Sequence, residues 1–459
     1  MVRPDEIPDN VSGVQRLVGL GSSSGLGAAP GYYIRGFYTY ESLRNGFRQF
    51  SLISPQDLAD VDRVEFLKGP AAVLYGNGFS PGGIVNTVTK KPLNTPFYNP
   101  TLTVGNYSYY RPTLDITGPL TSDRSLLYRL NASYTNAGSF RDFVNENESY
   151  FVAPALTWRL GTQTTLTAEF EHLHSDFLFD SESFPLEPEI LRIPINRFLG
   201  EPGLGLTHLD SNSITYDLEH KFSDNWKFRQ GFNAFIANLN IGSRFYTGSL
   251  EADRWTLDRT DSEGSQSNEN YTLQNEIYGN FNTGSLHHKA LVGLELSRYI
   301  NSYDVEGATL APIDIFHPKY GARPGNFTPL LTGEYGSDIL GIYLQDLVEI
   351  LPNLKLLAGG RFDFNDSSSK DRPNGTLVYQ ESDNKFSPRV GLVYQPIKST
   401  SLYFNWSNSF APQFFGQSRT NVKFKPEVGE QFEVGIKQDL LKNRLSTTLA
   451  FYQLPGRTC

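Results

Sequence analysis

Leu126-Leu-Tyr-Arg-Leu-Asn-Ala-Ser-Tyr-Thr135 is the stretch on which the fold turns. Leu126, Tyr128, Leu130, Ala132 and Tyr134 share one face of an extended chain; Arg129, Asn131, Ser133 and Thr135 share the other. A period of two with one apolar and one polar face is the pattern of a half-buried β-strand. The pattern recurs along the chain. Leu166, Ala168 and Phe170 oppose Thr165, Thr167 and Glu169. Leu402, Phe404 and Trp406 oppose Tyr403, Asn405 and Ser407, and Phe432, Val434 and Ile436 oppose Glu433, Gly435 and Lys437. From about residue 97 onward the sequence is a succession of such segments.

Two architectures fit this alternation. In a soluble sandwich the apolar face is the core; in a membrane barrel it meets lipid and the polar face lines the lumen. Three details favour the barrel. The segments are long. Their polar faces carry charge in mid-strand, as at Arg129, Glu169 and Glu433. Their connections alternate between tight turns (Asp123-Arg124, Asp224-Asn225, Asn443-Arg444) and long loops (about 177–212 and 303–333), the layout of the two rims of an outer-membrane barrel.

Composition is consistent with this reading. The 459 residues carry a net charge of -9, and no stretch approaches the roughly 18 apolar residues of a spanning helix. A spanning strand needs only about ten residues, every second one apolar, so its mean hydropathy stays low. Aromatic residues make up 13%, which suits strands and interfacial girdles. One Cys excludes an intrachain disulfide and a Cys-rich zinc site, and the acidic balance argues against nucleic acid as a partner. The N-terminal MVRPDEIPDN has neither a basic nor an apolar export region.

Residues 1–95 differ from the rest. Gly19–Gly27 is rich in Gly and Ser. Val61–Lys68 reads as a strand stopped by Gly69-Pro70, Ala71–Tyr75 as a turn of helix, and Ile84–Thr89 as another strand. Gly76-Asn-Gly78 and Pro81-Gly-Gly83 are tight turns. This is a small α+β domain ahead of the strand-rich region 96–459. Gly76, Gly78 and Gly82 miss the spacing of a dinucleotide fingerprint, and no Gly-Lys-Ser/Thr follows. His172 and His174 lie two apart on one face with no third metal ligand nearby, and no nucleophile set stands out, so catalysis has no support.

Val61-Asp-Arg-Val-Glu-Phe-Leu-Lys-Gly-Pro-Ala-Ala-Val-Leu-Tyr-Gly76, with Pro81-Gly-Gly-Ile-Val-Asn-Thr-Val-Thr-Lys-Lys-Pro92, strongly resembles the plug signature of TonB-dependent receptors. Asn10-Val-Ser-Gly-Val14 and Tyr33-Ile-Arg-Gly-Phe37 match the same domain in order and spacing. Gly341–Asp346, Ala358-Gly-Gly-Arg-Phe-Asp363, Phe386–Gly391, Lys425-Pro-Glu427 and Glu433–Lys437 resemble the family's barrel strands. The wording is most similar to ferric-siderophore receptors, hydroxamate-type above all. The resemblance implies a mainly β chain: a transmembrane antiparallel barrel with an α+β plug, in the outer membrane of a Gram-negative-type bacterium. It implies uptake of a ferric siderophore powered by the TonB–ExbB–ExbD complex, with outer-membrane lipid around the wall, iron as cargo and no resident cofactor. Haem, cobalamin or an oligosaccharide is the alternative cargo; His208 and His317 are the only loop histidines a haem site could use.

In such receptors plug apices and facing barrel aromatics grip the ligand, which makes Arg35, Phe47 and Arg48 (the last two in an expected plug loop, Asn45-Gly-Phe-Arg48), with Phe177, Phe179 and Phe184, the candidate contacts. Arg63, Glu65 and Lys68 on the plug, with Glu427 and Glu433 on the barrel, are the candidate contacts between the two parts, Arg63 pairing with Glu433 as a registration device. The family also carries a signal peptide and a coupling segment, and its plugged barrels have about 22 strands. Residues 97–459 offer about 14 or 15, and the last segment runs into Pro455-Gly-Arg-Thr-Cys459. The expectation is a chain cut short at both ends, or an inactive remnant, whose unpaired strand edges prevent a closed pore.

Overall fold

The computed structural model describes residues 11–16, 31–39, 42–49, 56–69, 72–76, 80–143, 147–178, 192–371, 375–411, 427–441, 444–454 and 456–457. The first part holds two small sheets. One is β1 (Val14–Arg16), β2 (Tyr32–Ile34) and β3 (Phe37–Thr39). The other, in the order β5-β4-β7-β6, contains β4 (Ser42–Arg44), β5 (Phe47–Gln49), β6 (Val61–Lys68) and β7 (Gly83–Thr89), with the short helix α1 (Ala72–Tyr75) between β6 and β7. Both hairpins turn on two residues of positive φ: Arg35 (53°) and Gly36 (86°), Asn45 (52°) and Gly46 (82°). Such turns match the twist of the flanking strands, and Asn-Gly is their strongest sequence signal.

The rest is one antiparallel meander in a 16-stranded sheet. Its strands are β8 (Phe97–Val104), β9 (Tyr110–Pro119), β10 (Leu126–Asn136), β11 (Asn147–Leu160), β12 (Thr164–Phe177), β13 (Thr207–Lys221), β14 (Trp226–Leu250) and β15 (Thr256–Thr283). They continue as β16 (Leu286–Asp314), β17 (Thr328–Leu351), β18 (Leu354–Lys370), β19 (Leu377–Ile397), β20 (Thr400–Ala411), β21 (Glu427–Leu440), β22 (Leu445–Gln453) and the two-residue β23 (Gly456–Arg457) on β21. β8 and β22 are the two ends of the ladder among the described residues. Turns such as 161–163, 284–285 and 352–353 form one rim; the longer connections lie on the other. β13 starts before residue 212, and β16 and β17 extend well into 303–333, so the two long loops expected there are shorter. Beyond the apolar belt the outer face of these strands is largely polar, which erases the alternation that marks a strand in sequence.

Which face is inside decides between sandwich and barrel. Leu127, Arg129, Asn131 and Ser133 of β10 are buried. The apolar face is the outer one: Trp158 is 49% exposed, Ile342 46% and Leu344 55%. An apolar exterior around a charged interior is the inverse of a soluble core and fits lipid outside. The small domain touches inward side chains of β9, β12 and β21, and its helix packs against β18, β19 and β20, so the sheet wraps around it.

The outer rows also mark the belt. Val292, Leu294 and Leu296 of β16 stand opposite Leu344, Ile342 and Leu340 of β17. Above them Arg298 pairs with Asp338 at 2.6 Å, and below them His288 meets Asp346 at 2.7 Å. Phe281 stacks on His288 and Trp226 on Phe281, an aromatic girdle at the short-turn rim. Residues 288 to 298, at roughly 3.3 Å each and a tilt of about 40°, rise about 25 Å, the height of a barrel's apolar band. No helix among the described residues is long and apolar enough to cross a membrane.

Candidate functional site

The interior is organised in two tiers, and the lower one is charged. Arg44 of β4 reaches Asp60 of the small domain at 2.5 Å and Glu171 of β12 at 2.8 Å. Burial pushes the Asp60 carboxyl above its ordinary range, against the pull of Arg44. Asn45, at the tip of its hairpin, and Thr89 both donate to Glu169, which Lys91 also pairs. Lys90 and Arg129 share Asp115, and Arg111 of β9 reaches Asp57 at 2.7 Å. A cavity of about 20 Å³ lined by Arg44, Gln49, Asp57, Glu171, Ser211 and Ser213 has the size and polarity for one water between the two parts.

On the wall the charges form a continuous row. Arg229 binds Asp217 (2.5 Å) and Glu276 (2.9 Å), and the Tyr343 hydroxyl donates to Glu276 at 2.7 Å. Arg361, fully buried, binds Glu295 (2.8 Å) and Asp363 (2.7 Å). Two glycines make room for it. A Cβ on Gly341 would lie 2.0 Å from an Arg361 nitrogen, and one on Gly76 would meet Arg48 and Arg361 at 2.9 and 3.1 Å. Arg48 donates to the Tyr75 carbonyl at 2.8 Å, and α1 packs against β18, β19 and β20. The small domain is thus held by ion pairs and hydrogen bonds, which fix register more than they add stability.

Above this row the inward wall changes character. From β13 to β18 it presents Ser211, Thr215, Asn233, Gln266, Asn268 and Asn270, then Asn301, Tyr335, Ser337, Asn365 and Ser367. An apolar patch of Leu209, Phe235, Ala237, Leu239, Ile241 and Val305 adjoins them. None of these side chains is charged; the buried charges above the row, among the described residues, include Arg244, Arg259 and Asp261 at the upper ends of β14 and β15.

The sequence candidates are placed as follows. Arg35 donates to Glu433 at 2.7 Å and to Gln431 at 2.8 Å, and lies over the Tyr452 ring. Tyr403 and Gln431 also donate to Glu433. A cation of the small domain does pair with Glu433, but it is Arg35 and not Arg63. Arg63 is 57% exposed and binds Asp62 and Glu65 beside it, because its side of β6 faces away from the wall. Glu65 also accepts from Asn86 within the small domain, and Lys68 donates to the Ser12 carbonyl. Partial burial and the neighbouring Arg35 charge lower the Lys68 pKa. Glu427 opens β21; its side chain lies outside the described residues.

Phe47 and Arg48 belong to strand β5, where a loop was expected. Phe47 is 1% exposed beside Gly231 and Arg229, so its ring is part of the contact with the wall. Phe177 packs on the apolar patch, and Phe179 and Phe184 lie outside the described residues. His172 and His174 face outward beside Tyr150, His172 tilted against its ring and His174 stacked on it, with His174 between Asp210 and Asp176 and His208 on Asp176. His317 is exposed near Asp314. Sequence reading missed Arg44, Asp60, Glu171, Glu276, Glu295 and Arg361. For Glu171, Glu276, Glu295 and Arg361 the signal was inward-facing charge in mid-strand; Arg44 ends β4 and Asp60 lies in the turn before β6, where alternation gives no signal.

Comparison with known proteins bears on this arrangement. The family described as "TonB dependent receptor-like, beta-barrel" matches residues 157–454, and "TonB-dependent Receptor Plug Domain" matches residues 2–84. A metal-pseudopaline receptor of Pseudomonas aeruginosa is 33% identical over 87% of this chain and 57% of its own length. A ferrioxamine B receptor of Salmonella typhimurium is 28% identical over 88% of this chain and 57% of its own. The chain therefore spans 57% of the length of these curated relatives. Among solved structures, the ferric-catecholate import receptor of Escherichia coli K12 superposes with a TM-score of 0.81 at 23% identity, over 93% of this chain and 67% of that one. A pyoverdine-bound receptor of P. aeruginosa gives 0.83 at 23% identity, over 98% of this chain and 60% of that one. These two likenesses show the fold.

Proposed function

This chain belongs to the TonB-dependent receptors, plug-and-barrel proteins of the Gram-negative outer membrane, and on that premise we propose that it serves uptake of a ferric siderophore of hydroxamate type. The observation that carries the choice is the band of neutral polar side chains directly above the charged row, from Ser211 and Asn233 to Asn365 and Ser367. A ferric tris-catecholate bears several negative charges and calls for cationic donors. A ferric hydroxamate is nearly neutral and offers amide and hydroxamate oxygens, for which Asn268, Asn301, Asn365 and Tyr335 are matched partners. Iron travels as cargo within the chelate. Residues 1–95 act as the plug and 96–459 as the barrel. The outer rows meet outer-membrane lipid, and the plug is worked from the periplasm by TonB with ExbB and ExbD.

Titration of the chain with ferrioxamine B and with a ferric tris-catecholate, followed by tryptophan quenching, tests the choice. Tighter binding of ferrioxamine B supports it, and binding of the catecholate alone contradicts it. The 33% identity to a metal-pseudopaline receptor favours a different metal chelate as the second reading, and metal-pseudopaline in the same titration examines it.

A further inference from the structure

The strands β14 to β17 run far past the apolar belt, and what they carry there is a folded body. Arg259 of β15 is twelve residues beyond Tyr271, which stands opposite the belt-edge residue Arg298, so it sits roughly 30 Å above the membrane boundary. It is nonetheless 4% exposed, and it holds segment 192–206 from above. Its Nη1 donates to the Gly200 carbonyl at 2.8 Å, its Nε to the Ala311 carbonyl at 2.9 Å, and its Nη2 meets Glu201 at 3.3 Å. Glu201 is 1% exposed and also accepts from the Gly321 amide. Leu199 packs with Leu257, Ile313 and Ile315, and Phe198 with Phe245 and Leu310.

The same segment ties its neighbours together. The Asp142 amide donates to the Asn196 carbonyl at 2.8 Å, Asn196 donates back to the Asp142 carboxylate at 2.9 Å, and Arg141 reaches the Arg197 carbonyl at 2.8 Å. On the other side Tyr320 donates to the Phe198 carbonyl at 2.7 Å and Arg197 to the Phe316 carbonyl at 3.0 Å, while Phe143 meets Tyr320 edge-on at 5.0 Å. The chain of ties continues from Gly138 to Tyr107 and from Ile315 to Trp255. Every connection on this rim from β8–β9 to β16–β17 is included.

We propose that residues 192–206 are the keystone of a preformed roof: five rim connections made into one cooperative body over the sector from β8 to β17, built before any cargo arrives. A buried carboxylate and guanidinium cannot be parted without leaving each uncompensated. The connections therefore open together or not at all, and the roof acts as a standing wall of the vestibule, in contrast to loops that close one by one around a ligand.

Hydrogen exchange on the full chain, with no ligand present, tests this independently of any cargo. In the unaltered protein, amides of 138–142, 196–201 and 315–321 are expected to be protected and to share one opening rate. In Glu201→Gln and in Arg259→Met all three segments should lose protection by the same factor, tenfold or more, while the belt strands below Arg298 stay unchanged and report an intact barrel. Glu334→Gln, whose ion pair with Lys370 lies outside the roof, should change none of them. A disulfide between Asn196→Cys and Asp142→Cys, in a Cys459→Ser background, should restore protection to Glu201→Gln. Protection lost only at 196–201, or the three segments exchanging at unrelated rates in the unaltered protein, would overturn the proposal. The unaltered-protein measurement decides even if a variant fails to fold.

Discussion

The Arg35–Glu433 pair shows how one residue can carry register for a whole domain. Arg35 adopts a φ of 53°, a region that costs a side-chain-bearing residue about 1–2 kcal/mol. The turn is held in that form with its guanidinium aimed at the wall. Removing the cation leaves Glu433, 12% exposed in its side chain, with the neutral Gln431 and Tyr403 as hydrogen-bond donors and Lys68 as a more distant charge. Arg35→Met should lower the stability of the plug-bound state by roughly 2 kcal/mol, less than for a fully enclosed pair. A double-mutant cycle with Glu433→Gln, followed by urea titration, should give a coupling of about 1 kcal/mol or more. Arg63→Ala should leave the midpoint where it is, since that side chain meets only solvent-facing partners. At Gly341, an alanine methyl would drive Arg361 off Glu295 in a site with no room to relax. Gly341→Ala should cost about 3 kcal/mol or more by the same titration.

At the scale of elements, the apolar face of each strand was legible in the alternation, and so were the tight turns, because a period of two is a local property. β6 matches the strand read at Val61–Lys68 residue for residue. The partners of the inward charges were not legible, since Arg361 and Glu295 are brought together by pairing across β16, β17 and β18 and not by any spacing in the chain. The Arg63–Glu433 expectation failed for the same reason: both are charged, but nothing local tells which face of β6 the wall covers. Phe47 and Arg48 were read as loop residues although Asn45-Gly46 is itself a hairpin signal, and recognising it would have put both on a strand. The lipid face makes a graded prediction. Leu294→Lys, at mid-belt, should destabilise by about 2–4 kcal/mol, and Ile300→Lys, just past Arg298, by about 0–1 kcal/mol, read from folding titrations in lipid vesicles.

For the molecule as a whole, the arrangement is an inversion: apolar rows outside, a charged seam and a band of neutral polar side chains above it inside. That inversion lets one sheet satisfy lipid on one face and a polar domain on the other. The most direct test is a spin-label scan of Val292 to Ser297 on β16, one cysteine at a time in a Cys459→Ser background, with the full chain in lipid vesicles. Collisions with oxygen, which concentrates in the hydrocarbon, and with a water-soluble nickel chelate are measured at each site. The account predicts strong oxygen collisions at 292, 294 and 296, and shielding from both reagents at 293, 295 and 297. Equal exposure at all six sites, or oxygen reaching the odd positions, would contradict it.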